Sequence, residues 1–184
     1  MSRASEIIVL CEDLAHEMFI TRFLKKGWKI KPRAFRVSAY PNGDGSGKKH
    51  VQDNIDVEAR ELRKKRVSKI LIVVQDADEF PVEQVRLDLE NRLNPPRSDK
   101  EQIAFIIPKW HIQTWLAYLD GESVNESDKE SYVKKYGKKS ESKEAHPYID
   151  KLANDCKMHN ALESPPDSLI AACEEFDRIR SALS

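Results

Sequence analysis

The sequence predicts an α/β fold, a mostly parallel four-stranded sheet flanked by helices, with a helical C-terminal extension. Three observations carry that reading. Short apolar runs without polar breaks recur along the chain; segments of helical period separate them; and the two most apolar runs end directly in acids. A length of 184 residues, 40% of them hydrophobic and 34% charged, suits one domain of residues 1–120 with a polar insertion and C-terminal helices over 121–184 packed on it. The 31 basic residues balance the 31 acidic ones, so any nucleic-acid contact must come from local patches rather than from bulk charge.

Glu6 to Cys11 (EIIVLC) is apolar on both alternating faces and reads as a buried strand of a parallel sheet. From Leu14 the period changes: Leu14, Met18, Phe19, Phe23 and Leu24 fall at helical spacing, and Gly27 is expected to close that helix. Ala34 to Tyr40 is a second strand, placed at an edge by Pro32 and its two arginines. Pro41 to Lys49 (PNGDGSGKK) concentrates turn formers and reads as a loop. A charged helix over Val51 to Val67 follows, basic in its second half through Arg60, Arg63, Lys64, Lys65 and Arg66, where cations suit the helix dipole.

Lys69 to Gln75 (KILIVVQ) is the central strand and runs into Asp76-Ala77-Asp78. A helix over Val82 to Leu93 stops at Asn94-Pro95-Pro96. Gln102 to Ile107 is the fourth strand, and Trp110 to Leu119 resumes a helical period in which Trp110 and Trp115 read as core residues rather than base-stacking platforms. Gly121 to Glu144 is rich in both charges and poor in large apolar residues, which predicts a mobile insertion or a loosely packed helix pair. Pro165 to Leu183 is an amphipathic C-terminal helix.

Three scattered cysteines, Cys11, Cys156 and Cys173, make no disulfide framework and suit a reducing cytoplasm. Cys156 and His159 lack the second ligand pair that a zinc site needs. No run approaches the length of a membrane helix. The glycine loop lacks the G-x4-G-K-[ST] spacing, so ATP hydrolysis finds no support, while Lys48, Lys49 and His50 beside a helix start can touch a nucleic-acid backbone.

In an open parallel sheet, sites form beyond the carboxyl ends of the strands. Strand one ends in Glu12-Asp13 and strand three in Asp76-x-Asp78, so parallel neighbours bring Glu12, Asp76 and Asp78 to one edge. Three carboxylates in one cleft repel unless a hard cation lies among them, and an all-oxygen set favours Mg²⁺ or Mn²⁺ over zinc. On that reading the three share one ion, and replacing Asp76 relieves repulsion and leaves the fold intact or more stable. Helix capping, Asx-turns, a phosphatase's aspartyl nucleophile and the metal site of a sugar transferase are the other readings of such acids.

The run IIVLCEDLAHEMFITRFL, followed downstream by ILIVVQDADEF, resembles the TOPRIM domain, whose pattern is a Glu after the first strand and a D-x-D after the third. IPKWHIQTWLAYL and PPDSLIAACEEFDRIR are similar to segments of small TOPRIM-like proteins, including the RloB-like and OLD-nuclease-related groups of restriction and phage-defence loci. The resemblance implies a Rossmann-like sheet and a metal-dependent phosphodiester-cleaving nuclease or nuclease subunit, with Mg²⁺ or Mn²⁺ as its cofactor. Its partners by that resemblance are DNA or RNA, an AAA- or ABC-type ATPase, and a second copy of the chain. Glu12 is then general base or metal ligand, Asp76 and Asp78 hold the metal, Glu17 is a further acid with His16 as its competitor, and Gln113 stands where relatives carry Glu. The Gly that commonly follows the first Glu is Asp13 here. These departures open a second reading, a catalytically weak TOPRIM-like module that binds a partner ATPase.

Overall fold

The strands are β1 (Glu6–Cys11), β2 (Phe35–Ser38), β3 (Lys69–Val74) and β4 (Ile103–Ile106), paired in parallel in the order β2-β1-β3-β4. In this computed structural model the residues described are 4–38, 40, 46–64, 68–128 and 130–184, the side chains of 130 and 131 excepted. The helices are α1 (Leu14–Trp28), α2 (Gly47–Lys64), α3 (Val82–Asn91), α4 (Ile112–Leu119), α5 (Glu130–Ser140), α6 (His146–Met158) and α7 (Asp167–Leu183).

The uninterrupted apolar runs of β1 and β3 have a direct cause, since successive side chains point to opposite faces and both faces are covered. Ile7, Val9, Cys11, Ile70, Ile72 and Val74 face a large core built with α1, α4, α5, α6 and α7. Ile8, Leu10, Leu71 and Val73 face a smaller one built with Val51, Ile55 and Ala59 of α2 and Val85 and Leu89 of α3. β2 lies at the edge, as its proline and arginines predict. Among the described residues no helix is long and apolar enough to cross a membrane.

Several boundaries differ from the sequence expectation. Helix α1 runs through Gly27 to Trp28 and ends at Lys29, which takes the left-handed conformation (φ 54°). Gly27 is a packing residue, because a Cβ there would stand 3.3 Å from the Ala153 carbonyl oxygen of α6. Helix α2 starts at Gly47, four residues early, and Ser46 Oγ accepts the Lys49 amide (3.3 Å) as a cap hidden within the glycine run. Residues 41–45 of the expected loop, and Lys65, Arg66 and Val67 at the expected end of this helix, lie outside the described residues.

Helix α4 starts at Ile112. Trp110 precedes it, half-buried with a left-handed backbone (φ 63°), while Trp115 is a core residue whose Nε1 donates to Ser168 Oγ (2.7 Å). The expectation for Trp110 is thus corrected and that for Trp115 holds. The expected loose insertion contains α5, whose Tyr136 is 0% exposed, its hydroxyl 2.7 Å from both Asp120 Oδ2 and Glu122 Oε1. Two tyrosines one helical turn apart, Tyr132 and Tyr136, anchor this charged segment in the larger core. Helix α6, unassigned in the sequence reading, contributes Ile149, Leu152 and Ala153.

Candidate functional site

Cys11 and Val74 are register partners at the ends of β1 and β3, so Glu12 leaves the sheet level with Gln75 and one residue before Asp76. Glu12 Oε1 accepts the Asp76 amide (3.0 Å). The next residue, Asp13, takes the capping role: its Oδ1 accepts the His16 amide (2.9 Å) at the start of α1. Neighbouring residues thereby take different roles, and Asp13, where the TOPRIM pattern commonly has Gly, is the N-cap. The cap also fixes His16 in the first turn, where its ring is 1% exposed and its Nε2 lies 2.9 Å from Asp76 Oδ1.

The other oxygen of Asp76 accepts from His111 Nδ1 (3.1 Å), which belongs to the β4–α4 connection. An ionised carboxylate only accepts, so the facing nitrogen of each ring carries the proton. The strained backbone of Trp110 turns the chain just before His111, and the residue so presented to Asp76 is an imidazole. Asp76, 7% exposed, is therefore clamped between rings from two elements.

Burial disfavours charge on both members of the His16–Asp76 pair, and their mutual attraction outweighs it. His16 is raised to about 9, with desolvation opposing and the Asp76 charge and hydrogen bond prevailing. Asp76 is lowered despite its burial, through His16 and His111. Glu12 is pushed up to about 7 by burial and by the Asp76 charge, against the pull of His16 and Lys48. It is the carboxyl group of this edge poised near neutrality. Cys11, pushed up to about 12 by burial and the acids around it, is an unreactive thiol.

Asp78 sits in the left-handed region (φ 52°), and its Oδ2 accepts from Lys48 Nζ (2.7 Å). Lys48 arrives through a close backbone contact: a Cβ on Gly47 would stand 2.2 Å from the Glu12 carbonyl oxygen, so only glycine lets α2 begin against the end of β1. Of the three residues expected to touch nucleic acid, Lys48 thus reaches the acids, and Lys49 is exposed beside it. His50 turns back along its own helix to Asn54 (3.2 Å).

Glu17 lies apart from the clamp, accepting from the Tyr40 hydroxyl at 3.5 Å. Gln113, expected to face the acids, donates instead to Ser140 Oγ of α5 (2.9 Å), because α4 starts two residues late and presents His111 to Asp76. The sequence reading missed His111 and Lys109, whose Nζ donates to the Phe80 carbonyl (2.7 Å) and feels the Asp78 charge. The rule that selected Glu12 and Asp76, chemistry just beyond a strand's carboxyl end, also selects both of these residues after β4.

Among the described residues, no three of His, Cys, Asp and Glu are arranged to hold a metal ion. The three acids thus reach one edge without forming the shared-ion cage that the sequence suggested. Comparison of the chain with protein-family models, with curated proteins and with solved structures finds no match.

Proposed function

We propose that the carboxyl edge of the sheet is a metal-dependent phosphodiester-cleaving site, in a nuclease or nuclease subunit of TOPRIM type. The observation that supports this most is the pairing of Glu12 with Asp76 at adjacent strand ends, with Glu12 raised to about 7 beside an Asp76 held ionised. Glu12 and Asp78 carry oxygen ligands of the kind a hard cation prefers, and Lys48, on a flexible stem, is the charge such an ion would displace from Asp78. Mg²⁺ commonly takes one or two carboxylates and keeps its waters, so a protein cage of three ligands is not required.

When bound, Mg²⁺ or Mn²⁺ would supply a water of lowered pKa and positive charge for the phosphate oxygens. The chain's own residues supply the remainder. Glu12 takes up a proton at its carboxylate near neutral pH. His16 and His111 fix the orientation and charge of Asp76. Lys48, Lys49 and Lys109 give the phosphodiester backbone cationic contacts in a chain of zero formal charge.

The test is Mn²⁺ and Mg²⁺ calorimetry on the intact chain, followed by plasmid nicking and cleavage of labelled single-stranded DNA and RNA. The proposal expects a Mn²⁺ isotherm that weakens at least tenfold in Asp78→Asn, and cleavage that falls by about 100-fold in Glu12→Gln. Absence of both binding and cleavage in the wild type sinks it. The second reading, a weak module that binds a partner ATPase, draws support from the internal charge compensation: both oxygens of Asp76 and one of Asp78 already face cations or N–H donors of the chain. It expects metal binding without turnover, restored by adding the ATPase.

A further inference from the structure

Far from the acidic edge, α6 and α7 bring two thiols together. Cys156 Sγ and Cys173 Sγ, 17 residues apart in sequence, lie 3.5 Å apart. Both are partly exposed and line an open groove with His159, Asn160 and Asp177, so solvent and small oxidants reach them. Cys11, the remaining cysteine, is buried at the end of β1. Arg180 Nη2 donates to the Cys156 carbonyl (2.9 Å), which holds a guanidinium beside both sulfurs. The Cys156 S–H donating to Cys173 draws the Cys173 thiol below its ordinary value, while that same hydrogen bond and burial hold the Cys156 thiol above its own, against the pull of Arg180 on both.

We propose that Cys156 and Cys173 are a reversible thiol switch, closed to a disulfide between α6 and α7 by a hydroperoxide. The Cys173 thiolate attacks the terminal peroxide oxygen, the O–O bond breaks, and sulfenic acid forms with the alkoxide of the hydroperoxide, or with hydroxide from hydrogen peroxide; that anion takes a proton from solvent. Cys156, its proton given to solvent, attacks the Cys173 sulfur; the S–S bond forms, the S–O bond breaks, and hydroxide leaves and is protonated to water by solvent. Two thiols are oxidised and one hydroperoxide is reduced, to two waters when it is hydrogen peroxide. The bond closes a short loop over residues 156–173 and ties α6, which packs on α1, to α7, which packs on β4.

The experiment treats the intact chain with equimolar hydrogen peroxide, counts thiols after denaturation, and maps tryptic peptides by mass spectrometry. Two of the three thiols should disappear, a Cys156–Cys173 linked peptide should appear, and dithiothreitol should reverse both. The melting temperature should rise by about 6 to 12 °C, as a closed loop of this size constrains the unfolded chain. In Cys156→Ser the reaction should stop at Cys173 sulfenic acid, which dimedone labels strongly; wild type should label weakly. Retention of all three thiols, a linkage between two chains, or equal dimedone labelling of wild type and variant overturns the proposal.

Discussion

β1 and β3 lie side by side along their whole length, yet their two ends treat charge in opposite ways. At the amino end Glu6 and Lys69 are register partners and form an ion pair, and Arg36 of β2 extends it to Glu6 (3.5 Å) and Glu58 (2.6 Å). Each charge there meets its opposite on a neighbouring strand or helix. At the carboxyl end two acids, Glu12 and Asp76, stand next to each other, and compensation comes from imidazoles and a lysine carried by three other elements. The first arrangement neutralises charge locally and asks nothing of the residues' protonation. The second places titrating groups within reach of one another, so that the protonation of one depends on the others. Where charge serves only the fold it is paired off; where it is left crowded, chemistry has a place.

The largest effect should come from breaking the buried pair at the carboxyl end. His16→Ala leaves Asp76 with His111 alone and opens a cavity beneath it, and should cost about 3–5 kcal/mol in chemical denaturation at pH 6. The same geometry corrects the expectation for Asp76: its removal strands His16, a buried imidazole, and should destabilise the fold rather than relieve it. A variant His16→Ala as stable as wild type would dissolve the contrast between the two ends.

The pH dependence follows from the sign of each shift. His16 is raised from 6.5 to about 9 in the folded state, so its contribution is complete below pH 6.5 and is lost as pH rises through 9. That contribution is about 3 kcal/mol, and the gap between wild type and His16→Ala should narrow by this amount between pH 6 and pH 10. Glu12 is also raised, from 4.5 to about 7, so the folded state favours its protonated form and wild type loses stability as pH rises through 7. Glu12→Gln removes that loss and should stabilise the protein by about 2 kcal/mol at pH 8 and by nothing near pH 4. Melting curves across pH check both signs.

At the amino end the expected effects are smaller. Glu6→Gln takes the carboxylate from the buried Lys69 ammonium and should cost about 1–2 kcal/mol, less than at the other end because Glu6 itself is partly solvated, and fading in high salt. The smallest effect is reserved for Gln113→Glu, which should leave Mn²⁺ affinity unchanged, since that side chain points to Ser140. A tenfold tightening would return Gln113 to the site and redraw its boundary.

The strands were legible because a sheet covered on both faces leaves an unmistakable trace, the unbroken apolar runs at Ile7 to Cys11 and Ile70 to Val74. The acids followed from them, since a strand's last residue also marks where its side chains leave the sheet. Less legible was everything that depends on a helix's exact first residue. Ser46 and Asp13 are caps that look like loop or site residues in one dimension, and a two-residue shift in the start of α4 exchanged Gln113 for His111. Helix α5 was obscured because its buried anchors are tyrosines amid lysines, whose apolar bodies pack while the Tyr136 hydroxyl finds Asp120 and Glu122 and the Tyr132 hydroxyl the Asn125 amide. Lys48 was visible as a cation, but its arrival at Asp78 depends on the Gly47 contact, which joins residues distant in sequence.

Asp78 carries two requirements that substitution can separate. Its left-handed backbone is one that asparagine and glycine accept and that most other residues resist by about 1–2 kcal/mol, whereas its carboxylate is what Lys48 meets. Asparagine and glycine are each a single base change away from aspartate. A lineage released from the need for this charge would therefore drift first to an asparagine or glycine codon here, with the loop's shape preserved. The identity of this one position among descendants would date the loss of the proposed chemistry before any loss of the fold.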